Sequence, residues 1–409
     1  MRITRRQWLA AAAAMSAAPR LQTVFAQSGG DPMTRRIAAA IREFAAQGFH
    51  RTATPVDRAS GEWLAGQVKS AGLKPSLEPF PINRVDPVSA VVVAGSRRID
   101  GVPLFDGTFT SADGVRGQLG VAGAAEVALI ETAVNAAGAG ALGEARRAGT
   151  HKAIVAITRG GRPGLCPSNA DSFQTPFGPP VVQVSSEEAA FLTAHAANGG
   201  AITVVAEAKR TAATADNVTA AIDGIDRSQP PLVVMTPRSG WYWCASERGG
   251  GIAVWLEVMR ALRTSPPRRP VWFVASSGHE LGHLGINAYI DRRPGIVANA
   301  TGWLHLGANV GAATDAANTV QASDDRLDSQ LTESMAAAGL RVDRRAPRGR
   351  VPGGEAEAVH RRGGRYVSII GGSALFHNLE DRGPDAIDPN AIARFAQAFT
   401  ALARQLANA

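Results

Sequence analysis

The densest chemistry in this sequence lies in Ser277-Gly278-His279-Glu280-Leu281-Gly282-His283, where two histidines four residues apart flank a glutamate. On a helix that spacing puts both imidazoles on one face, where they can bind zinc while the glutamate activates water. The context opposes it here, because His279 follows a strand end directly and Gly282 weakens the turn. The plainer reading of His283 is a partly buried helix histidine. Cys244, close in sequence to Glu247, would make a metal-free nucleophile if it met His279 or His305, although a lone cysteine more commonly serves as packing. Trp241, Tyr242 and Trp243 read either as one wall of a pocket for an apolar or aromatic substrate group or as ordinary core.

The loop belongs to a longer frame. Val271-Trp-Phe-Val-Ala-Ser-Ser-Gly-His-Glu-Leu-Gly-His-Leu-Gly-Ile-Asn-Ala-Tyr-Ile290 is a buried strand that ends in a loop and reopens as a helix. It resembles the zinc exopeptidases of the aminopeptidase Y and glutamate carboxypeptidase type, whose loop reads Ser-Gly-Glu-Glu-Leu-Gly-Leu-Leu-Gly. Gly249-Gly-Gly-Ile-Ala-Val is similar to that family's Asp-Asn-Ala-Ser-Gly-Val helix start, and Leu375-Phe-His-Asn-Leu-Glu-Asp381 to the segment carrying its last histidine ligand. The insertion at about 101–211 is similar to a protease-associated domain, a lid common in the family.

The resemblance implies a metal site, and the site departs from the pattern. Thr236 and Arg238 replace the family's His-x-Asp, so one ligand is lost; Glu247 replaces the bridging aspartate and is followed by Arg248. His279 stands where the general-base glutamate stands, Glu280 keeps the ligand glutamate, His305 replaces a ligand aspartate and His377 keeps the last ligand. The resemblance thus implies Glu247, Glu280, His305 and His377 around one zinc ion, not two, with His279 as proton carrier and Arg238, Trp241 and Tyr242 as substrate contacts. The related glutaminyl cyclases show that one zinc suffices on this fold.

Positioning these residues requires strands that end together. Apolar runs at 232–235, 271–275, 302–306 and 366–370 read as strands, with helical periodicity at 251–263, 281–291, 323–338 and 389–407. Helical spacing also marks two stretches within 33–78, and a short strand is expected at 87–96. The alternation predicts a three-layer α/β/α sandwich with a mixed central sheet, ligands binding at the strands' carboxyl ends. Residues 27–100 and 212–409 form it, and 101–211, with glycine-separated short strands, add a smaller β-rich lid.

Arg5-Arg6 precede an alanine-rich apolar run ended by Pro19 and Arg20, which reads as a twin-arginine export signal over residues 1–26. The run is too short to span a bilayer, so no stable membrane insertion is expected and the mature chain is expected to be periplasmic or secreted. The formal net charge of +8 does not point to nucleic acid, because lysine occurs only at 69, 74, 152 and 209 and the arginines are scattered without an aromatic-interleaved cluster. Cys166 and Cys244, far apart in sequence, read as free thiols.

These observations lead to an exported metal-dependent hydrolase of peptide or related amide bonds, aminopeptidase- or carboxypeptidase-like, acting on a small peptide or an N-acyl amino acid. The alternatives are an inactive binding module on the same fold, as the transferrin receptor is, and a Cys244-dependent amide hydrolase.

Overall fold

The computed structural model describes residues 31–409; the export signal expected at residues 1–26 lies outside them. Asp31, Thr54 and Asp388 each cap the first backbone N–H groups of a helix whose next residue is proline, opening Pro32–Ala45, Pro55–Ser70 and Pro389–Asn408. Proline costs nothing there, since its missing N–H would have no partner in the first turn.

The strands, in chain order, are β1 (Ser76–Ala94), β2 (Arg97–Pro103), β3 (Val115–Val121), β4 (Val127–Ala133), β5 (Ala153–Arg159), β6 (Val181–Ser185), β7 (Ala201–Ile222), β8 (Leu232–Pro237), β9 (Val271–Ser276), β10 (Gly302–Leu306), β11 (Asn318–Ala322), β12 (Arg344–Arg345) and β13 (Tyr366–Gly371). They form one sheet in the order β1-β2-β6-β5-β4-β3-β7-β9-β8-β10-β13-β11-β12, with β1 also paired to β7. The centre, β9-β8-β10-β13, is parallel, and β7 and β11 run antiparallel on its two sides.

Successive residues of a strand face opposite ways, and at the centre both faces are apolar. Leu232, Val234, Phe273, Ala275, Leu304 and Leu306 pack with the helices Pro32–Ala45, Gly249–Thr264 and Pro389–Asn408. Their neighbours Val233, Met235, Val274 and Trp303 pack with Leu284–Asp291 and Ala356–His360 on the other side. The three-layer α/β/α sandwich with a mixed sheet is thus the observed architecture.

The short strand expected at 87–96 is instead part of β1, a 19-residue strand paired with β7 along nearly its whole length. Pro79, Pro81 and Pro87 obscure it in sequence, and the register shifts between Pro87 and Ser89. Beyond that irregularity the ribbon carries a separate apolar cluster containing Val92, Ala94, Leu119, Val155, Val182 and Val204. The helix expected at 281–291 begins only at Leu284, because Gly282 and His283 are both left-handed, at φ 76° and 58°. No helix among the described residues is long and apolar enough to cross a membrane.

Candidate functional site

The carboxyl ends of β8, β9, β10 and β13 converge, as parallel strands in one sheet must, and each delivers polar side chains to the same end. Past β8 come Arg238 and Ser239, past β9 His279 and Glu280, within β10 His305, and past β13 His377. The helix Gly249–Thr264 brings Glu247 and Arg248 by pressing against the strand ends. At Gly250 an added Cβ would lie 1.9 Å from the Val310 carbonyl oxygen, so the approach depends on glycine.

Two polar clusters result. In the first, Glu355 accepts hydrogen bonds from His279 Nδ1 at 3.0 Å, His305 Nε2 at 3.2 Å and the Ser276 hydroxyl at 3.1 Å. His305 Nδ1 lies 2.8 Å from the Ser368 hydroxyl. Burial would raise the Glu355 carboxyl, but the two imidazoles outweigh it and hold the group well below the carboxylate range. Burial, reinforced by the Arg248 charge, pushes His279 down to about 4. His279 is therefore neutral near pH 7, with Nδ1–H donated to the ionised Glu355 and Nε2 free to accept a proton. No hydrogen bond reaches that Nε2 from the described residues.

In the second cluster Glu247 Oε1 faces Arg248 Nη2 at 2.7 Å and His377 Nε2 at 3.3 Å. Neither contact has hydrogen-bond geometry, so no directed network links these three atoms. Burial opposes ionisation of Glu247, yet Arg248 and His377 together hold its carboxyl below the usual range. Asp381 accepts from the backbone N–H groups of Ser246 and Glu247 at 2.7 and 3.0 Å, fixing the turn that presents Glu247. The Cys244 thiol donates to Glu247 at 3.5 Å, and burial followed by that carboxylate pushes it well above its ordinary value. It meets a carboxylate, not an imidazole, which disfavours a thiolate nucleophile.

The expected metal-binding set is not gathered at one point. Glu280 accepts at Oε1 from the Thr52 backbone and hydroxyl, at 3.0 and 2.7 Å, and at Oε2 from the Ser239 hydroxyl at 2.6 Å. Glu247 is committed to Arg248, His305 to Glu355, and the Thr236 hydroxyl to the Leu306 carbonyl at 2.9 Å. Among the described residues no three His, Cys, Asp or Glu side chains are placed to hold a metal ion. Glu247 and His377 could flank a cation, but the Arg248 guanidinium already supplies one there. The donors as arranged do not fit a zinc ion.

Arg238, expected as a substrate contact, is fully buried, its Nη1 donating to Asp57 at 2.8 Å and its Nη2 to the Asp216 carbonyl, so both ends of its guanidinium are committed to the core. Trp241 and Tyr242 are buried under the inserted residues, donating to Asn169 Oδ1 at 3.1 Å and to the Leu165 carbonyl at 3.2 Å. His283 caps the helix Leu284–Asp291 from outside instead of sitting within it. Its ring centroid is 5.1 Å from that of His279, but the chain between them is a short 3-10 turn over His279–Leu281 followed by left-handed Gly282 and His283, not an α-helix, so the zincin arrangement does not form. His283 lines a cleft of about 450 Å³ with Asp171, Asn287, Glu357, Arg361 and Arg362.

Sequence reasoning missed Glu355, Ser239 and Thr52. Ser239 follows the expected strand 232–235 closely, which was a usable signal; Glu355 comes 76 residues after its partner His279, and Gly353-Gly354 before it was the sole local hint.

No family model matches this sequence. None of the curated proteins matches it either. Solved structures do. The zinc aminopeptidase BSAP of Bacillus subtilis superposes with a TM-score of 0.73 at 18% identity, over 92% of this chain and 95% of that one. The peptidase M28 precursor of Shewanella amazonensis SB2B gives 0.72 at 16% identity over 92% and 95%. An aminopeptidase from Aneurinibacillus sp. strain AM-1 gives 0.69 at 16% over 92% and 94%. Across nine-tenths of its length, this chain therefore has the fold of the zinc aminopeptidases.

Proposed function

We propose that this chain is an exported hydrolase of peptide or related amide bonds whose remodelled site uses His279 as the proton carrier. The observation that carries the reading is the Glu355 carboxylate on His279 Nδ1, which leaves Nε2 as a base in the manner of the carboxylate–histidine pairs of acyl-transfer enzymes. His279 Nε2 takes a proton from an attacking water and returns it to the leaving amine. Glu355 keeps the ring oriented and stabilises the imidazolium that forms between the two transfers. The buried Arg248 guanidinium adds positive potential to a site where an oxyanion develops. No step runs through a metal, since the donors do not fit one.

The substrates are small peptides or N-acyl amino acids, entering by the cleft at His283. The similar solved structures are aminopeptidases and M28 peptidases, which supports the amide class. The paired Arg5-Arg6 before an alanine-rich apolar run support export to the periplasm or outside the cell. The test is turnover of a panel of dipeptides, aminoacyl anilides and N-acyl amino acids by metal-analysed protein. Activity that resists chelators and falls by about 10²–10⁴ in both His279→Ala and Glu355→Gln supports the reading. Activity that tracks bound zinc overturns it.

A second reading, a binding module without turnover, is favoured by the burial of the site: Glu247, Glu280, His305 and His377 are each at most 1% exposed. Saturable binding of a panel member with no hydrolysis in wild type would select it.

A further inference from the structure

The ionisable side chains around the cleft beside His283 are matched within the fold, with one exception. Arg361 Nε donates to Glu357 Oε1 at 2.6 Å, and Glu357 Oε2 lies 3.9 Å from His283 Nδ1. Arg362 Nη1 donates to Asn287 Oδ1 at 3.1 Å and to the Ala358 carbonyl at 3.0 Å, while its Nη2 is 3.5 Å from Asp291. Asp171 is the exception: it is exposed, and its carboxylate has no hydrogen bond or ion pair among the described residues. Arg146, whose charge reaches it, is already paired with Asp106 at 2.7 Å. Desolvation raises the Asp171 carboxyl, His283 draws it down, and Asp106 and Glu357 raise it again. The place of that carboxylate is fixed. The Ala170 N–H donates to the Glu280 carbonyl at 2.8 Å, and a Cβ at Gly282 would come within 2.6 Å of the Asp171 carbonyl oxygen. Leu165, Ala170 and Phe173 anchor the same segment in an apolar cluster with Trp241, Tyr242 and Leu281. Asp171 is thus held against the turn that carries His279, whose ring centroid is 5.1 Å from that of His283.

We propose that Asp171 is a specificity-determining residue that holds a cationic group of the ligand in this cleft, either a free α-ammonium or a basic side chain. An unmatched carboxylate in a concave site favours a positive charge, because the cleft walls limit the water that would otherwise solvate it. An anionic group finds no equivalent place, since Arg361 and Arg362 already face Glu357, Asn287 and Asp291. Calling the ligand a substrate rests on the proposed hydrolase; the preference for a cation is a property of binding and is read without turnover. Among the substrates of that reading, it selects those with a positive charge near the scissile bond and disfavours N-acyl amino acids with neutral side chains.

The test is calorimetric titration of the full chain and of its Asp171→Asn variant with leucine amide, Nα-acetyl-lysine amide and Nα-acetyl-norleucine amide. Wild type serves where the amide survives intact, and a His279→Ala background where it is hydrolysed. At least one of the cationic amides is expected to bind about 10-fold more tightly than the neutral norleucine amide. Leucine amide marks an α-ammonium as the group held, and acetyl-lysine amide a side chain. Asp171→Asn is expected to remove the preference and to leave binding of the norleucine amide unchanged. Equal binding of charged and neutral amides, binding of none of them, or a preference that survives Asp171→Asn would overturn the proposal. So would tighter binding of the anionic Nα-acetyl-norleucine. A cation preference that disappears with Asp171→Asn, in a wild type that hydrolyses none of its substrate panel, would instead count against the proposed hydrolase alone.

Discussion

Arg248 puts a permanent positive charge between side chains that, by type, are suited to a metal, and a buried charge of that kind is held by its partner. Replacing it by methionine leaves Glu247 ionised and buried with only His377 and the Cys244 thiol beside it, so Arg248→Met is expected to lower stability by about 3–5 kcal/mol in chemical denaturation. An unchanged midpoint and slope would show that Glu247 is not ionised. The His279 imidazole carries a pH signature. Burial and Arg248 bring it from 6.5 to about 4, so the neutral base persists on the acid side of the ordinary histidine range. The acid limb of kcat/KM is therefore expected near pH 4 and not near 6.5. The same shift has a stability sign: between about 4 and 6.5 the unfolded chain binds a proton that the folded chain does not, so this group makes stability rise with pH across that window. Titration of the His279 ring by NMR checks both statements, and a midpoint near 6.5 would contradict them.

At the scale of elements, the β1–β7 ribbon decides where the inserted part begins. A boundary drawn at 101–211 strands Val92 and Ala94, which pack with Ala206 in the inserted cluster, while the irregularity at Pro87 and its partner Ala208 sits at the foot of that cluster. Joining Pro87 to Ala208 is therefore expected to leave a better-folded remainder than joining Asp100 to Ala212, with a higher Tm and a sharper transition. The reverse ranking would show that β1 and β7 belong wholly to the large sheet. The strands of the sandwich were legible because each is an apolar run buried on both faces, as at 232–235 and 271–275. β1 was not, because its prolines break the alternation that marks a strand and only pairing with β7 holds it extended. The early start assigned to the helix after β9 failed for a local reason: Gly282 and His283 adopt left-handed backbone, and a helix cannot run through them.

For the molecule as a whole, the paired arginines predict export in folded form. Arg5→Lys with Arg6→Lys is expected to hold the precursor in the cytoplasm, and fractionation showing unchanged export would remove that assignment. Protein purified without chelator is expected to carry less than stoichiometric zinc by elemental analysis, since Glu280 and His305 already have partners. One firmly bound ion per chain would mean that Glu247 and His377 release Arg248 to receive it. By itself the sequence determined the alternation of buried strands and amphipathic helices, and therefore the sandwich and the end of the sheet to which His279, Glu280, His305 and His377 are brought. Those are properties of periodicity within single elements. What each gathered side chain bonds to was decided only by the tertiary structure: Glu355 reaching across to His279, Thr52 and Ser239 closing on Glu280, and residues 163–171 lying over His377. Hydrogen bonds and ion pairs act over about 3 Å between atoms that can be hundreds of residues apart, and no local pattern records such a distance.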